Sequence, residues 1–275
     1  MLLNIHAHAI YHAPQPMPAL LQIEIAPPGD QATGQQVLEE ALLIGPPLEA
    51  EAFTDIFRNR NRRFITPANA DIVLDYRARV QLDGDTAPLA PRDAPAVPLP
   101  ALPPQVLAML FPSRYCESDR LAQATTDLFG QTSGGAATVY AICEWMRDKV
   151  QYEYGHSDAN TSAVDTFIER VGVCRDFSHL AISFCRALNI PARYAAGYCL
   201  ELDPPDFHAY FQAYLADEQS DQPGRWYSFD ATWQGLRRGL VNISVGRDAV
   251  DTSMLTFFGT AQLVEQQVSV REDQH

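Results

Sequence analysis

The chain has 275 residues, 47% of them hydrophobic and 20% charged, which is enough apolar material for a sizeable core. Its 34 acidic against 20 basic residues give a net charge of −14. That charge argues against nucleic acid or an anionic membrane as a partner, since both require a basic surface. No apolar run reaches the roughly 18 residues of a spanning helix. The start MLLNIHAHAIYHAP lacks the basic and long apolar stretches of a signal peptide, so cytoplasmic residence is expected.

The first hundred residues read as β-structure. Ile5, Ala7, Ala9 and Tyr11 alternate with His6, His8, Ile10 and His12, and Leu20 to Ile25 is a short apolar run. Between Ala70 and Leu82, the side chains of Ile72, Leu74, Tyr76, Ala78 and Val80 share one face of a period-2 ribbon. Turn signals stand at Pro27-Pro28-Gly29 and Gly45-Pro46-Pro47. A small antiparallel sandwich over residues 1–100 is predicted. His6 and His8 share a strand face, but a catalytic zinc needs three ligands and neither an acidic residue nor a cysteine is close by in sequence. They are read as exposed strand residues, and no metal or cofactor is expected.

From Thr86 to Gln105 the composition turns to proline and alanine, which predicts an extended surface linker and a domain boundary. Helical spacing follows at Thr138–Val150, Asp165–Val171 and Arg175–Leu188, the last ended by Asn189-Ile190-Pro191. Strands are predicted at 192–200, 209–215, 226–229 and 261–270. Helices followed by an antiparallel sheet make residues 101–275 an α+β domain.

Five cysteines without a CxxC pair suggest free thiols in a reducing compartment. Cys185 and Cys143 lie on apolar helical stripes, Cys199 falls in a strand, and Cys116 sits in a loop with no basic neighbour. Cys174, in Gly172-Val173-Cys174-Arg175-Asp176, stands at a helix start, where unpaired N–H groups and the macrodipole favour thiolate. Its own N–H is available to an oxyanion, and Gly172 permits a tight turn before it. Among candidate bases, His179 points about 140° away around the same helix, and His156 lies in a polar loop. His208 opens the alternating strand HAYFQAYL, a rigid mount. The polar turn QSDQPG folds the following strand back, which brings Asp230 towards His208, where a carboxylate would orient the imidazole.

The stretches GVCRDFSHLAISFCRALNIPARYAAGY, FHAYFQAYL and WYSFDATW together resemble the transglutaminase-like superfamily core, from about Tyr115 onwards. Phe53 to Asn59 and Gly246-Arg247-Asp248-Ala249 resemble segments of its bacterial two-domain cysteine protease members. The resemblance implies a papain-like α+β domain preceded by the β-sandwich, with Cys174 as nucleophile, His208 as base and Asp230 as orienting acid. It also implies a thioester acyl-enzyme formed on a peptide or protein amide and resolved by water or by a small amine. Tyr210 stands where many members carry tryptophan, a departure that bears on the acyl-donor groove. No calcium loop is visible. Tyr115, Tyr152 and Tyr154 are candidates for a second oxyanion donor, though core packing is the commoner role of such rings. Asp176 is a candidate to touch the substrate or to pair with Arg175 or Arg193, though most residues in its place are structural, and Trp145, Trp226 and Trp233 are read as core. Hydrolysis is favoured because water needs no dedicated site, and a non-catalytic interaction module keeping the fold is the rival.

Overall fold

The computed structural model describes residues 1–27, 34–217 and 222–273. The expected turns at Pro27-Pro28-Gly29 and over 219–224 lie wholly or partly outside those residues. The N-terminal half runs β1 (Leu2–Ala13), β2 (Pro18–Leu21), β3 (Gln35–Gly45), β4 (Glu51–Thr54), β5 (Arg60–Ile65) and β6 (Ala70–Leu82). After a long connection come α1 (Pro104–Leu107), α2 (Ala122–Phe129), α3 (Gly135–Lys149), β7 (Gln151–Tyr152), α4 (Ala163–Glu169), β8 (Val171–Gly172) and α5 (Cys174–Ala187). The chain ends with β9 (Ala192–Tyr198), β10 (His208–Leu215), β11 (Arg225–Phe229), β12 (Val241–Gly246), β13 (Leu255–Phe257) and β14 (Gln262–Glu272). The fold is α+β. Among the described residues no helix is long and apolar enough to cross a membrane.

The alternation in β1 and β6 sends Leu3, Ile5, Ala7, Ile72, Leu74 and Tyr76 into one core while the intervening residues face outward. Two sheets enclose that core, ordered β14-β1-β6-β3 and β13-β2-β5-β4. Both therefore borrow a strand from the C-terminus, because β14 pairs with β1 and β13 with β2. The N-terminal sheets are thus completed by residues far beyond the boundary expected near residue 100.

A third sheet, β11-β10-β9-β12, carries α5 against it, with α2, α3 and α4 around the helix. The expected single apolar stripe on α5 understates its burial, since every residue from Asp176 to Arg186 is buried. Most of the polar members are hydrogen-bonded, His179 Nδ1 being the exception. Ser178 and Ser183 donate to the carbonyls four residues back, and Arg186 donates to the carbonyls of Ala192, Phe111 and Arg247.

The Pro/Ala-rich segment is not a solvated linker. Ala87, Ala90, Ala94 and Val97 are buried, while Pro88, Pro91, Pro95 and Pro98 face solvent. A polyproline-like backbone turns every three residues or so, which separates small inward residues from prolines facing outward. The strap is fastened by Ala136 N–H to Ala94 C=O (2.9 Å), Ala216 N–H to Pro95 C=O (3.0 Å) and the Tyr140 hydroxyl to Ala90 C=O (2.7 Å).

Edge strand β12 is covered by side-chain amides from the N-terminal half. Asn59 accepts from Val245 N–H at 2.9 Å and donates to Val245 C=O at 2.8 Å, and Gln35 does the same for Asn242 at 2.7 and 2.8 Å. Each amide imitates one rung of a neighbouring strand and closes an edge that would otherwise be open. The residues before Asn59 hold it in place, because the Asp55 carboxylate accepts from Phe57 N–H, Asn59 N–H and the Asn59 amide. Asn59→Ala orphans both backbone groups of buried Val245, at about 1–3 kcal/mol for each group left unsatisfied. A urea midpoint equal to that of the unsubstituted protein would show that the edge needs no such cover.

Candidate active site

Local sequence fixes where α5 begins. The Asp176 carboxylate, fully buried, accepts the Val173 N–H at 2.9 Å and closes the first turn on itself. A Cβ on Gly172 would lie 2.7 Å from the Asp176 Cβ, so glycine is needed here for close approach. Asp176 is therefore structural and pairs with Arg175 at 3.3 Å. Cys174 is the first residue of the helix and the one partly exposed thiol of the five, all of which are free. Burial pushes Cys116, Cys143 and Cys199 up to about 12 and Cys185 well above the ordinary thiol range.

His208 is the first residue of β10, and Asp230 directly follows β11, the strand paired with β10 through Phe211 opposite Phe229. The adjacent strands bring His208 Nε2 to 2.8 Å from Asp230 Oδ2, with both side chains buried. The Cys174 thiol lies close enough to the imidazole to help raise it, and both residues line the same two hollows. The second Asp230 oxygen accepts from Thr232 N–H (2.8 Å) and the Thr232 hydroxyl (2.6 Å), and Arg237 Nε stands 3.5 Å from Oδ2. Cys174, His208 and Asp230 thus come together, whereas the other two histidine candidates are elsewhere. His156 pairs with Glu169 at 3.2 Å on the surface. His179 is buried between Tyr115 and Tyr194 and accepts from Ala249 N–H at 3.2 Å.

Two hollows, of about 520 and 310 Å³, open on either side of this pair and share Cys174, Arg175, Asp206, Phe207 and His208 as lining. One continues past Tyr115 and Tyr194 to Met254, Thr256 and Gln266, the other past Tyr152, Tyr154 and Pro204. Tyr152 lies on β7, which pairs with β8 so that Tyr152 stands opposite Gly172. Its hydroxyl is 3.4 Å from that of Tyr154, the residue lines the second hollow with Cys174, and burial with the nearby thiol raises the hydroxyl above the ordinary phenol range. Tyr115 instead packs on His179, and its N–H donates to Asp248 at 3.0 Å.

Several residues escaped the sequence reading or were placed differently by it. Asp206 borders both hollows and accepts from Phe207 N–H (2.8 Å) and the Gln266 amide (3.0 Å), while burial raises its carboxyl. Its position two residues before His208 was the available signal. Tyr210 does not line the groove. It shares the face of His208 but sits one step further along β10, fully buried, stacked beside His208 and hydrogen-bonded to Asn242 at 3.0 Å, in a layer packed with Ala195, Leu236 and Val245. Trp233 is half exposed beneath Arg237 (4.4 Å), not core as Trp226 is.

Burial alone would lower His208, but the Asp230 carboxylate and the Cys174 thiol outweigh it and raise the ring to about 10. Burial would raise Asp230, yet His208 and Thr232 hold it below the usual carboxylate range. The raised histidine stabilises the fold fully below its unfolded value, about 6.5, and this contribution is lost as pH rises through about 10. The lowered aspartate contributes above its unfolded value, about 3.9, and loses it as pH falls through the depressed folded value. Nitrogen-detected NMR of the imidazole should show His208 charged at neutral pH and titrating near 10, falling steeply in Asp230→Asn. A wild-type ring titrating between 6 and 7, at about the unperturbed value, would contradict this electrostatic account.

Comparison with known proteins places this geometry. The family model described as the transglutaminase-like superfamily matches residues 121–231, the stretch from α2 through Asp230. A solved structure described as a "putative cysteine protease" from Cytophaga hutchinsonii is 37% identical, covering 98% of this chain and 90% of its own, with a TM-score of 0.88. Among curated sequences, an uncharacterised Mycobacterium leprae protein is 27% identical over 159 residues, 54% of this chain and 53% of its own length. An uncharacterised Mycobacterium tuberculosis protein is 33% identical over 118 residues, 38% and 36% of the respective chains. The chain therefore spans about half, or less, of the curated relatives it matches. With a cysteine-headed central helix against an antiparallel sheet, and this match in both sequence and fold, the chain belongs to the transglutaminase-like superfamily.

Proposed function

We propose that the protein is a cysteine-dependent amidohydrolase, cleaving a peptide or protein amide through a thioester on Cys174. The observation that carries this reading is the partly exposed Cys174 thiol beside His208, itself bonded to buried Asp230, set where two hollows meet. One hollow suits the acyl part of an amide and the other its amine part. The description of the Cytophaga hutchinsonii neighbour as a cysteine protease supports the same chemistry.

In this reading the thiol proton already rests on His208, Cys174 Sγ attacks the amide carbon as thiolate, a C–S bond forms, and the carbonyl electron pair becomes an oxyanion. The Cys174 N–H and the Tyr152 hydroxyl, from residues lining the same hollow, donate to it. As the C–N bond breaks, His208, held cationic by Asp230, gives its proton to the departing amine. Water then loses a proton to the neutral imidazole and attacks the thioester, which releases the acid and restores the thiolate beside the imidazolium. A small amine in place of water would give transamidation, and no feature of the cleft dedicates a site to one.

Iodoacetamide separates an enzyme of this kind from a silent relative of the fold. At pH 8 a thiol at about 12 is thiolate in only about one part in 10⁴, so Cys174 should be alkylated alone and more slowly in His208→Ala. Equal slowness of all five thiols would favour a binding module. Intact-mass screening of peptide amides should trap an acyl adduct on Cys174 that is missing in Cys174→Ala. For a peptide that is turned over, Asp230→Asn is expected to lower kcat by roughly 10²–10⁴-fold. Tyr152→Phe should lower kcat with little change in KM, whereas an unaltered kcat would remove the hydroxyl from the oxyanion site.

A further inference from the structure

A second constellation lies on β1 and β6, on the face turned away from the core. His6 and His8 project from the same side of β1, and the strand register sets Asp75 of β6 directly opposite His8. The acidic partner missing from the neighbouring sequence thus arrives from across the sheet. His6 Nε2 is 2.7 Å and His8 Nδ1 3.2 Å from the same oxygen, Asp75 Oδ2, and the three donor atoms lie within 4.8 Å of one another. Among the described residues this is the one such group. Its side chains are 35%, 23% and 22% exposed, so water reaches the position between them.

We propose that His6, His8 and Asp75 form a binding site for a late first-row divalent cation such as Zn²⁺, separate from the Cys174 centre. The donor set decides the class. Two imidazoles with one carboxylate suit zinc, cobalt or nickel, while calcium and magnesium require mostly oxygen. Zinc bonds to nitrogen and oxygen run about 2.0–2.2 Å, which in a tetrahedron spaces the donors about 3.3 Å apart. The present spacings of 2.7 and 3.2 Å to the carboxylate oxygen need to change by tenths of an ångström, and the two ring nitrogens, within 4.8 Å of each other, are drawn together by rotation of the rings as the ion enters. Both imidazoles now donate to Oδ2, so each ring moves its proton to its other nitrogen when the metal takes the lone pair. The exchange releases metal-bound water and needs no other reactant, and a fourth position remains open to solvent.

The remaining carboxylate oxygen is held by Arg77 Nε at 2.9 Å, which orients Asp75 from outside the donor set. Arg77 is 68% exposed, so its charge is screened and its side chain free to move as the cation enters. Further along the same strands His12 pairs with Asp71 at 2.8 Å but has no third ligand, which makes it an internal control.

The test uses the full chain carrying Cys174→Ala, because the exposed thiol would itself bind soft cations. Co²⁺ titrated by visible absorption should show one equivalent in a nitrogen–oxygen field without a thiolate charge-transfer band, and Zn²⁺ calorimetry should give the same stoichiometry. His6→Ala and Asp75→Asn should each weaken binding by about 100-fold or more, while His12→Ala leaves it unchanged. Zn²⁺ should also raise the melting temperature of the parent and not that of Asp75→Asn. His8→Gln, which keeps a hydrogen-bonding side chain on the strand, guards against loss through misfolding. Failure of the Cys174→Ala protein to take up either ion, or uptake indifferent to His6 and Asp75, would reduce the cluster to hydrogen-bonded surface residues.

Discussion

A carboxylate buried beside an imidazole is tolerable only if every lone pair and proton finds a partner, and the Asp230–His208 pair imposes that condition on the rest of the fold. Asp230 spends one oxygen on Thr232, whose N–H and hydroxyl both reach it from the turn after β11, and the other on His208 with Arg237 close by. This arrangement requires β10 and β11 to be neighbours in a fixed register, because a one-residue slip would turn His208 to the opposite face. Given that register, the position of α5 follows: its apolar side packs on β9 and β10, and its first residue is carried to the imidazole. The pair thus couples secondary structure to chemistry. The same charge balance that makes burial tolerable also keeps the ring protonated near neutral pH.

Much of this was legible because the informative residues carry local signals. The alternation in β1, β6 and β10 and the glycine before Cys174 can be read without a structure, and so can the order of the three motifs. The missing parts lack local signals for physical reasons. Strand β3 has a bulge between Val37 and Glu39 that breaks its alternation, and β12 is buried at every position, so it shows no polar face. Strand β13 is three residues long. The Pro/Ala segment looked like a linker because proline is usually exposed, as it is here; what composition hides is the alanine every third or fourth residue that faces inward. Asp75 could not be assigned to His6 and His8, since their meeting depends on the pairing of strands more than sixty residues apart.

The chemical distinction among the five thiols depends on burial more than on sequence neighbours. Four are enclosed by apolar side chains, and the cost of desolvating a thiolate raises them far beyond neutral pH. Cys174 differs in exposure, because the N-terminus of α5 ends at the cleft, with Tyr152 lining one hollow and Tyr194 the other. A helix terminus is among the few places where a residue can be rigidly mounted and still present one side to solvent, since its backbone is held by the turns that follow.

The N-terminal half is best understood as part of the same construction. Asn59 and Gln35 supply the rungs that edge strand β12 would otherwise lack, and β12 pairs with β9, which pairs with the strand bearing His208. In return the C-terminal chain gives β13 and β14 to the N-terminal sheets, and on the way Met254, Thr256 and Gln266 line the cleft. The Gln266 amide then reaches Asp206, two residues before the imidazole. Each half therefore finishes the other's sheets, and the wall of the hollow beyond Tyr194 exists only where the two are joined. The C-terminal part separated from its first hundred residues would keep Cys174, His208 and Asp230 but lose the edge cover of β12 and the partners of β13 and β14, and with them one side of the groove.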